Sequence, residues 1–321
     1  MDFLVGYTGF VGSNILNKHA FSGLYNSKNI EEAYGKNPDL LVYSGVPAEM
    51  FLANKFPEKD RALMDEAIEN IKKINPKKLV LISSISVLSS HKSKDEEEEI
   101  DKESLLPYGK NRRYLEEWVI QNVEDYHIVR LPALFGDNIK KNFIYDFIHL
   151  IPPMLNEAKY EEQRSKNADI EKYYTAGEDG FYRLNKLSPE EKKKLRDYYA
   201  VNDFNALKFT DSRSRYQFYN LKNLWHDIET TISNDLKILN LMTEPVSVGE
   251  LYSTLMKDEV CRGKVTDVEF VNELNKEPFD YDCHTKYDNL FYGKNGYIAD
   301  KYEVINSIRE FVVKEIEKHY S

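Results

Sequence analysis

The chain has 321 residues, 54 acidic and 44 basic, for a formal net charge of −10. With 41% apolar and 31% charged residues it can bury a core, which excludes wholesale disorder, and its length suits one large domain or two modest ones. The acidic balance argues against nonspecific nucleic-acid binding, and no apolar run approaches the roughly 20 residues that cross a bilayer. Two cysteines, Cys261 and Cys283, cannot build a disulfide framework, so a reducing cytoplasmic setting is expected. The opening segment Asp2–Gly6 reads as a buried strand, not as a signal peptide.

Short apolar runs at Phe3–Val5, Leu40–Tyr43, Leu79–Ile82 and Ile128–Leu131 are apolar on consecutive positions, as in parallel strands covered on both faces. Between them, helical spacing predicts helices over Ser13–Ala20, Asp60–Asn75 and Tyr108–Asn122, the second with a stripe of Leu63, Ala67, Ile71 and Ile74. This alternation predicts an α/β fold with a doubly wound parallel sheet, Rossmann-like, over residues 1–150. A helical run, Phe143–Leu150, ends at Pro152-Pro153, and a polar stretch follows from Asn156 to Asp211. Within it Ser188-Pro-Glu-Glu191 has the form of a capped helix start, and the Lys- and Glu-rich helix up to about Tyr199 reads as a solvated surface helix. Strand-like Tyr216–Leu221, helical Val248–Met256 and the amphipathic Lys301–Lys318 complete a less regular region, 151–321.

The most informative element is Gly6-Tyr-Thr-Gly9-Phe-Val-Gly12, between the first strand and the first helix. Glycines there let the backbone turn sharply and approach a pyrophosphate, which then rests on the helix amides. Their three-and-three spacing resembles the extended branch of the short-chain dehydrogenase/reductase superfamily. The resemblance continues at Leu81–Val87, Pro107–Arg112 and Val129–Gly136, and more faintly at Tyr216–Leu221 and Glu244–Leu251.

That resemblance implies a dinucleotide-binding domain over 1–150, joined by part of the 200–250 region, and a smaller substrate-binding region over 151–321. It implies cofactor contacts from Gly6, Thr8, Gly9, Phe10, Val11 and Gly12, and from Asn26, Lys28, Ser44, Gly45, Tyr108, Arg112, Leu131 and Pro132. Members that prefer NAD place an acid after the second strand; Leu24–Asn29 has none, and Lys28 could pair with a 2′-phosphate. NADP(H) is therefore expected over NAD(H), although a lysine that simply points to solvent would look the same.

The resemblance also implies a catalytic group. The superfamily places a Tyr four residues before a Lys, with a Ser or Thr from the fourth strand; here Tyr108 is followed by Arg112, and Ser84 best matches the serine, with Ser83 and Ser86 as neighbours. Residues four apart share a helical face, and Leu115 and Val119 extend that face toward the sheet. A free phenol ionises near pH 10, so holding it as phenolate at neutrality takes roughly 4 kcal/mol of help, which a fixed cation supplies in part. Arg keeps the charge, but its planar fork is no simple replacement for an ammonium. Either Arg112 fills the lysine's role, or activity is reduced or lost. Lys110 falls on another face. The Asp-Glu pair of the nucleotide-sugar dehydratases is replaced by Ile85-Ser86, which leaves epimerase or reductase chemistry.

Extended members mostly act on nucleotide-activated sugars. Asn142 resembles their diphosphate-contacting Asn, and Arg213 and Arg215 could pair with phosphates; a helix cap and surface charges are the competing roles. Tyr216, Phe218 and Tyr219 could stack on a ligand or fill a core. Cys283 and His284 lack metal-like partners, so no metal site is expected, and the acidic run Asp95–Glu99 reads as solvated. A homodimer through the Tyr-bearing helix is expected by analogy. The rival readings are a non-catalytic NAD(P)-binding regulatory or scaffold protein and a reductase of a small carbonyl compound.

Overall fold

The computed structural model describes residues 1–265, 270 and 277–320. The chain forms two compact units: the first comprises Met1–Ile139, Arg215–Val246 and Asp280–Val304, the second Lys140–Ser214, Ser247–Phe279 and Ile305–Ser321.

The first unit is built on six parallel strands: β1 (Asp2–Val5), β2 (Gly23–Tyr25), β3 (Leu40–Tyr43), β4 (Leu79–Ser84), β5 (Tyr126–Leu131) and β6 (Ile238–Asn240). Their order in the sheet is β6-β5-β4-β3-β1-β2. Order reverses beside β1, so the connections leaving the carboxyl ends of β1 and β3 pass to opposite faces of the sheet, and ligands bind at such points. Helices α1 (Phe10–Leu16), α2 (Pro57–Ile74) and α3 (Pro107–Asn122) connect the strands.

Consecutive apolar residues serve opposite faces of the sheet, as the runs predict. Phe3, Val5, Leu41, Leu79, Leu81 and Ile128 pack with α2 and α3, whereas Leu4, Val42, Val80 and Val129 pack with Ile15, Leu224 and Ile228. The α2 stripe differs by one residue: Met64 is buried with Ala67, Ile68, Ile71 and Ile74, and Leu63 is exposed. Met64, one residue on, is rotated about 100° from Leu63 and lies nearer the centre of the buried face. The first helix starts at Phe10, earlier than Ser13, because the glycine loop leads straight into it, and ends at Leu16 before the Asn17 cap.

The second unit contains an antiparallel sheet of Met154–Asn156, Phe181–Leu184 and Tyr174–Ala176. The polar stretch is thus ordered and contributes buried Tyr160, Tyr173, Tyr174 and Tyr199. The capping box forms: Ser188 Oγ accepts from the Glu191 amide at 3.2 Å and the Glu191 carboxylate accepts from the Ser188 amide at 2.8 Å. Its helix, Pro189–Ala200, is not merely a solvated one, since Leu195, Arg196 and Tyr199 form a buried stripe. No helix among the described residues is long and apolar enough to cross a membrane.

Candidate active site

The carboxyl ends of β1, β3 and β4 carry the groups of interest. Gly6 turns the chain at φ +90°, and a Cβ there would lie 2.6 Å from the Ser44 carbonyl oxygen at the end of β3. A Cβ on Gly12 would lie 2.2 Å from the Gly6 carbonyl oxygen, so helix α1 can approach the loop only as glycine. Ser44 ties the two strand ends together, its amide and hydroxyl both donating to Val5 O, at 3.0 and 2.9 Å. Gly9, by contrast, is exposed, and among the described residues a Cβ there would closely meet only Gly6 O, at 3.2 Å. The N-cap residue of α1 is Gly9, which has no side chain to cap the first turn. An open loop leading into uncapped amides fits the pyrophosphate of a dinucleotide.

Ser84 is the last residue of β4, in register with Leu131 of β5, which places Leu131 and Pro132 beside it. Its hydroxyl donates to Ser86 Oγ and accepts from the Ser86 amide, both at 3.2 Å. Ser83 Oγ donates to Glu116 at 2.6 Å, and Ser86 is the middle residue of the turn Ile85–Val87 on which α3 rests. Glu116 is fully buried between Arg130, whose Nη2 is 2.7 Å away, and Arg113 at 3.1 Å. Burial works to raise the Glu116 carboxyl, but Arg130, Ser83 and Arg113 hold it below its ordinary value.

Tyr108 and Arg112 lie on the buried face of α3 with Leu115 and Val119, as their spacing predicts. The Tyr108 amide donates to Asn54 Oδ1 at 2.9 Å, and its phenol lies near enough to Ser84 for that hydroxyl to favour the phenolate. Burial raises the phenol above its ordinary 10.0; the Arg112 charge and the Ser84 hydroxyl oppose this, and Asp60 adds to it. Arg112 places its guanidinium carbon 4.0 Å from the centre of the Tyr108 ring. It donates to the Asp60 carboxylate and, at 2.5 Å, to Pro47 O. Asn111 also donates to Asp60, at 2.8 Å. The Arg112 charge is therefore paired and buried, a less fitting arrangement for a cofactor ribose than a free ammonium. Lys110 is indeed on another face, paired with Glu103 at 3.0 Å.

The helix comes this close because residue 109 is glycine. A Cβ on Gly109 would sit 2.1 Å from the Ser86 carbonyl oxygen. Gly109, Asn54 and Asp60 were not apparent from sequence: the Gly109 contact and the partners of Asn54 and Asp60 are all long-range. Only the glycine following Tyr108 left a signal.

The remaining candidates are distributed as follows. Asn26 and Lys28 follow β2, with the Asn26 side chain accepting from the Lys28 amide at 2.9 Å and Lys28 exposed. In the first unit, Arg215 pairs with Asp280 at 3.0 Å, which also holds Lys92. In the second, Arg213 pairs with Asp211 at 2.6 Å, and Asn142 caps the helix Phe143–His149, accepting from the Ile144 and Tyr145 amides. Phe218 and Tyr219 are core residues, while Tyr216 stacks against Tyr281. The acidic run is not simply solvated: Glu96 accepts from the Asn240 amide, the Thr285 hydroxyl and the Lys286 amide, at 2.8, 2.6 and 3.0 Å.

No protein-family model and no curated protein matches the sequence. Solved structures do match its fold. A dTDP-4-dehydrorhamnose reductase from Bacillus anthracis, in complex with NADP, aligns with 98% of this chain and 99% of its own at a TM-score of 0.63 and 13% identity. The corresponding reductase from Clostridium acetobutylicum aligns over 97% and 98% at 0.61 and 12%. A UDP-N-acetylglucosamine 4-epimerase from Methanobrevibacter ruminantium, in complex with UDP-N-acetylmuramic acid, aligns over 99% of each chain at 0.60 and 13%. The fold is thus that of a Rossmann-like α/β protein. The likeness to these reductases and this epimerase is one of fold, and it runs along nearly the whole chain.

Proposed function

We propose that the chain is an NAD(P)-dependent reductase or epimerase of a nucleotide-activated sugar, with Ser84, Tyr108 and Arg112 as its catalytic group. The observation that carries this reading is the juxtaposition of Tyr108 and Arg112 with Ser84 at the carboxyl end of β4, in the same unit as the open glycine loop. When bound, the nicotinamide would supply or accept the hydride. The protein handles the proton on the substrate oxygen: Ser84 donates a hydrogen bond to it, and Tyr108 delivers its phenolic proton to it or withdraws one in the reverse direction. Arg112 offsets the charge left on the phenolate. Lys28 and the absence of an acid after β2 support NADP(H), as do similar structures described with NADP and NADPH. The substrate class rests on the same neighbours, with Asn142, Arg213 and Arg215 as its candidate contacts. A homodimer is proposed on the family resemblance and would be tested by light scattering.

One observation favours a second reading. Arg112 is held by Asp60 and Pro47, away from the role of the family's lysine, as in a protein that binds cofactor without hydride transfer. Titration with NADPH and NADH, followed by Trp118 and Trp225 fluorescence, separates the cases. Binding lost in Gly9→Asp, with oxidation of NADPH by nucleotide ketosugars abolished in Tyr108→Phe, is the expected result. Binding without hydride exchange, and without gain in Arg112→Lys, would establish the second reading; absence of binding would sink both.

A further inference from the structure

A second cluster lies at the amino end of β5, the end of the sheet away from the glycine loop. His127 is the second residue of that strand, and its side chain is 0% exposed. Nδ1 lies 2.8 Å from the Leu236 carbonyl oxygen. A carbonyl only accepts, so the proton resides on Nδ1 and Nε2 presents a lone pair. That Nε2 is buried and has no hydrogen-bond partner among the described residues. It faces Asp125 Oδ1 at 3.7 Å, and the carboxylate of Asp235 completes a group whose ligand atoms lie within 4.8 Å of one another.

His127 Nε2 and Asp125 Oδ1 present lone pairs to each other and repel unless a positive ion lies between them. The neighbouring ammoniums serve the two carboxylates but leave Nε2 unbonded. Lys78 pairs with Asp125 Oδ2 at 2.7 Å, and Lys237 pairs with Asp235 at 2.6 Å and approaches Asp125 Oδ1 at 3.6 Å. Neither bonds Nε2. Both retain exposure and could turn outward.

We propose that Asp125, His127 and Asp235 form a site for a divalent transition-metal ion of the zinc type. One imidazole and two carboxylates suit such an ion, and the imidazole disfavours magnesium and calcium. The Nδ1 bond to Leu236 fixes the ring with Nε2 toward the ion, the usual way a protein orients a histidine ligand. Asp125 enters β5 and Asp235 precedes β6, so the ion would clamp the last strand to the sheet. The proposal does not depend on the reaction.

The test is calorimetric titration of the full chain with zinc chloride, with magnesium chloride as control. One zinc ion is expected to bind, magnesium not at all. Asp235→Asn should weaken binding at least about tenfold, by comparison with losses of outer-shell partners. The Asp235 side chain is 72% exposed, so this variant tests the site even if His127→Gln fails to fold. Lys237→Met, which removes a competing cation, should tighten binding. Zinc binding unchanged in Asp235→Asn, no binding in the wild type, or nitrogen chemical shifts showing both His127 nitrogens protonated at neutral pH would each overturn the proposal.

Discussion

The guanidinium of Arg112 is buried against the carboxylate of Asp60, a residue 52 positions earlier on the neighbouring helix. The two charges act on Tyr108 in opposite senses: Arg112 favours the phenolate and Asp60 opposes it. Removing either should therefore move the activity profile in opposite directions. Arg112→Met raises the phenol pKa, so the limb that requires phenolate shifts to higher pH. Asp60→Asn lowers it, and the limb shifts to lower pH. The pH dependence of kcat/KM in the two variants checks this, and shifts of the same sign would exclude Tyr108 as the titrating group. Each variant leaves a buried charge unpaired, so a loss of about 3–5 kcal/mol of stability is also expected.

Gly109 allows Tyr108 to reach Ser84. In Gly109→Ala the added methyl meets the Ser86 carbonyl, which must yield along with the turn Ile85–Val87 or the start of α3. Overpacking of this kind costs about 1–3 kcal/mol. Activity should fall further than stability, because the displacement separates Tyr108 from Ser84. Lys110→Ala, one residue on and outside the buried stripe, is the control. Urea unfolding and kcat measured side by side would show whether the two losses separate.

The strands that could be read in advance are those whose apolar residues are consecutive, such as Leu79–Ile82 and Ile128–Leu131. The sixth strand, Ile238–Asn240, was not readable: three residues carry no period, and β5 makes them a strand through the Ile238–Ile128 register. The region Asn156–Asp211 reads as polar because much of its core is tyrosine, beside Ile170, Leu195 and Leu207; the tyrosine rings pack while their hydroxyls find partners, as Tyr174 does with Pro152 O at 2.7 Å. Glu96 could not be distinguished from Glu97 in a run of acids, since only its distant partners single it out. The catalytic spacing was visible because it follows the helical repeat. The Asp60 counterion was not, because no local pattern pairs two helices.

Glu116 provides a test in the acid range. Its folded pKa is lowered from 4.5, so it stabilises the protein above about pH 4.5, and that contribution disappears as pH falls through the folded value. Glu116→Gln leaves Arg130 buried without a counterion and should cost about 3–5 kcal/mol at neutral pH. The difference between wild type and variant should then shrink as the pH is lowered below 4.5. Denaturant unfolding at a series of pH values gives the comparison, and a gap that stays constant through acid would show that the carboxylate titrates normally.

Lys28 decides the proposed cofactor preference. Its backbone is fixed by the Asn26 side chain, and its ammonium extends from the loop after β2 without a carboxylate partner among the described residues. If it meets a 2′-phosphate, Lys28→Ala should weaken NADPH binding about tenfold, or 1.4 kcal/mol, and leave NADH unchanged. Lys28→Glu should go further, because the carboxylate repels the phosphate and can accept from ribose hydroxyls, bringing NADH binding level with or above NADPH. Fluorescence titration of the three proteins with both cofactors reads the effect. Equal losses for NADH and NADPH in Lys28→Ala would mean that the lysine acts on the fold of the loop, and the basis of the NADP(H) preference would have to lie elsewhere.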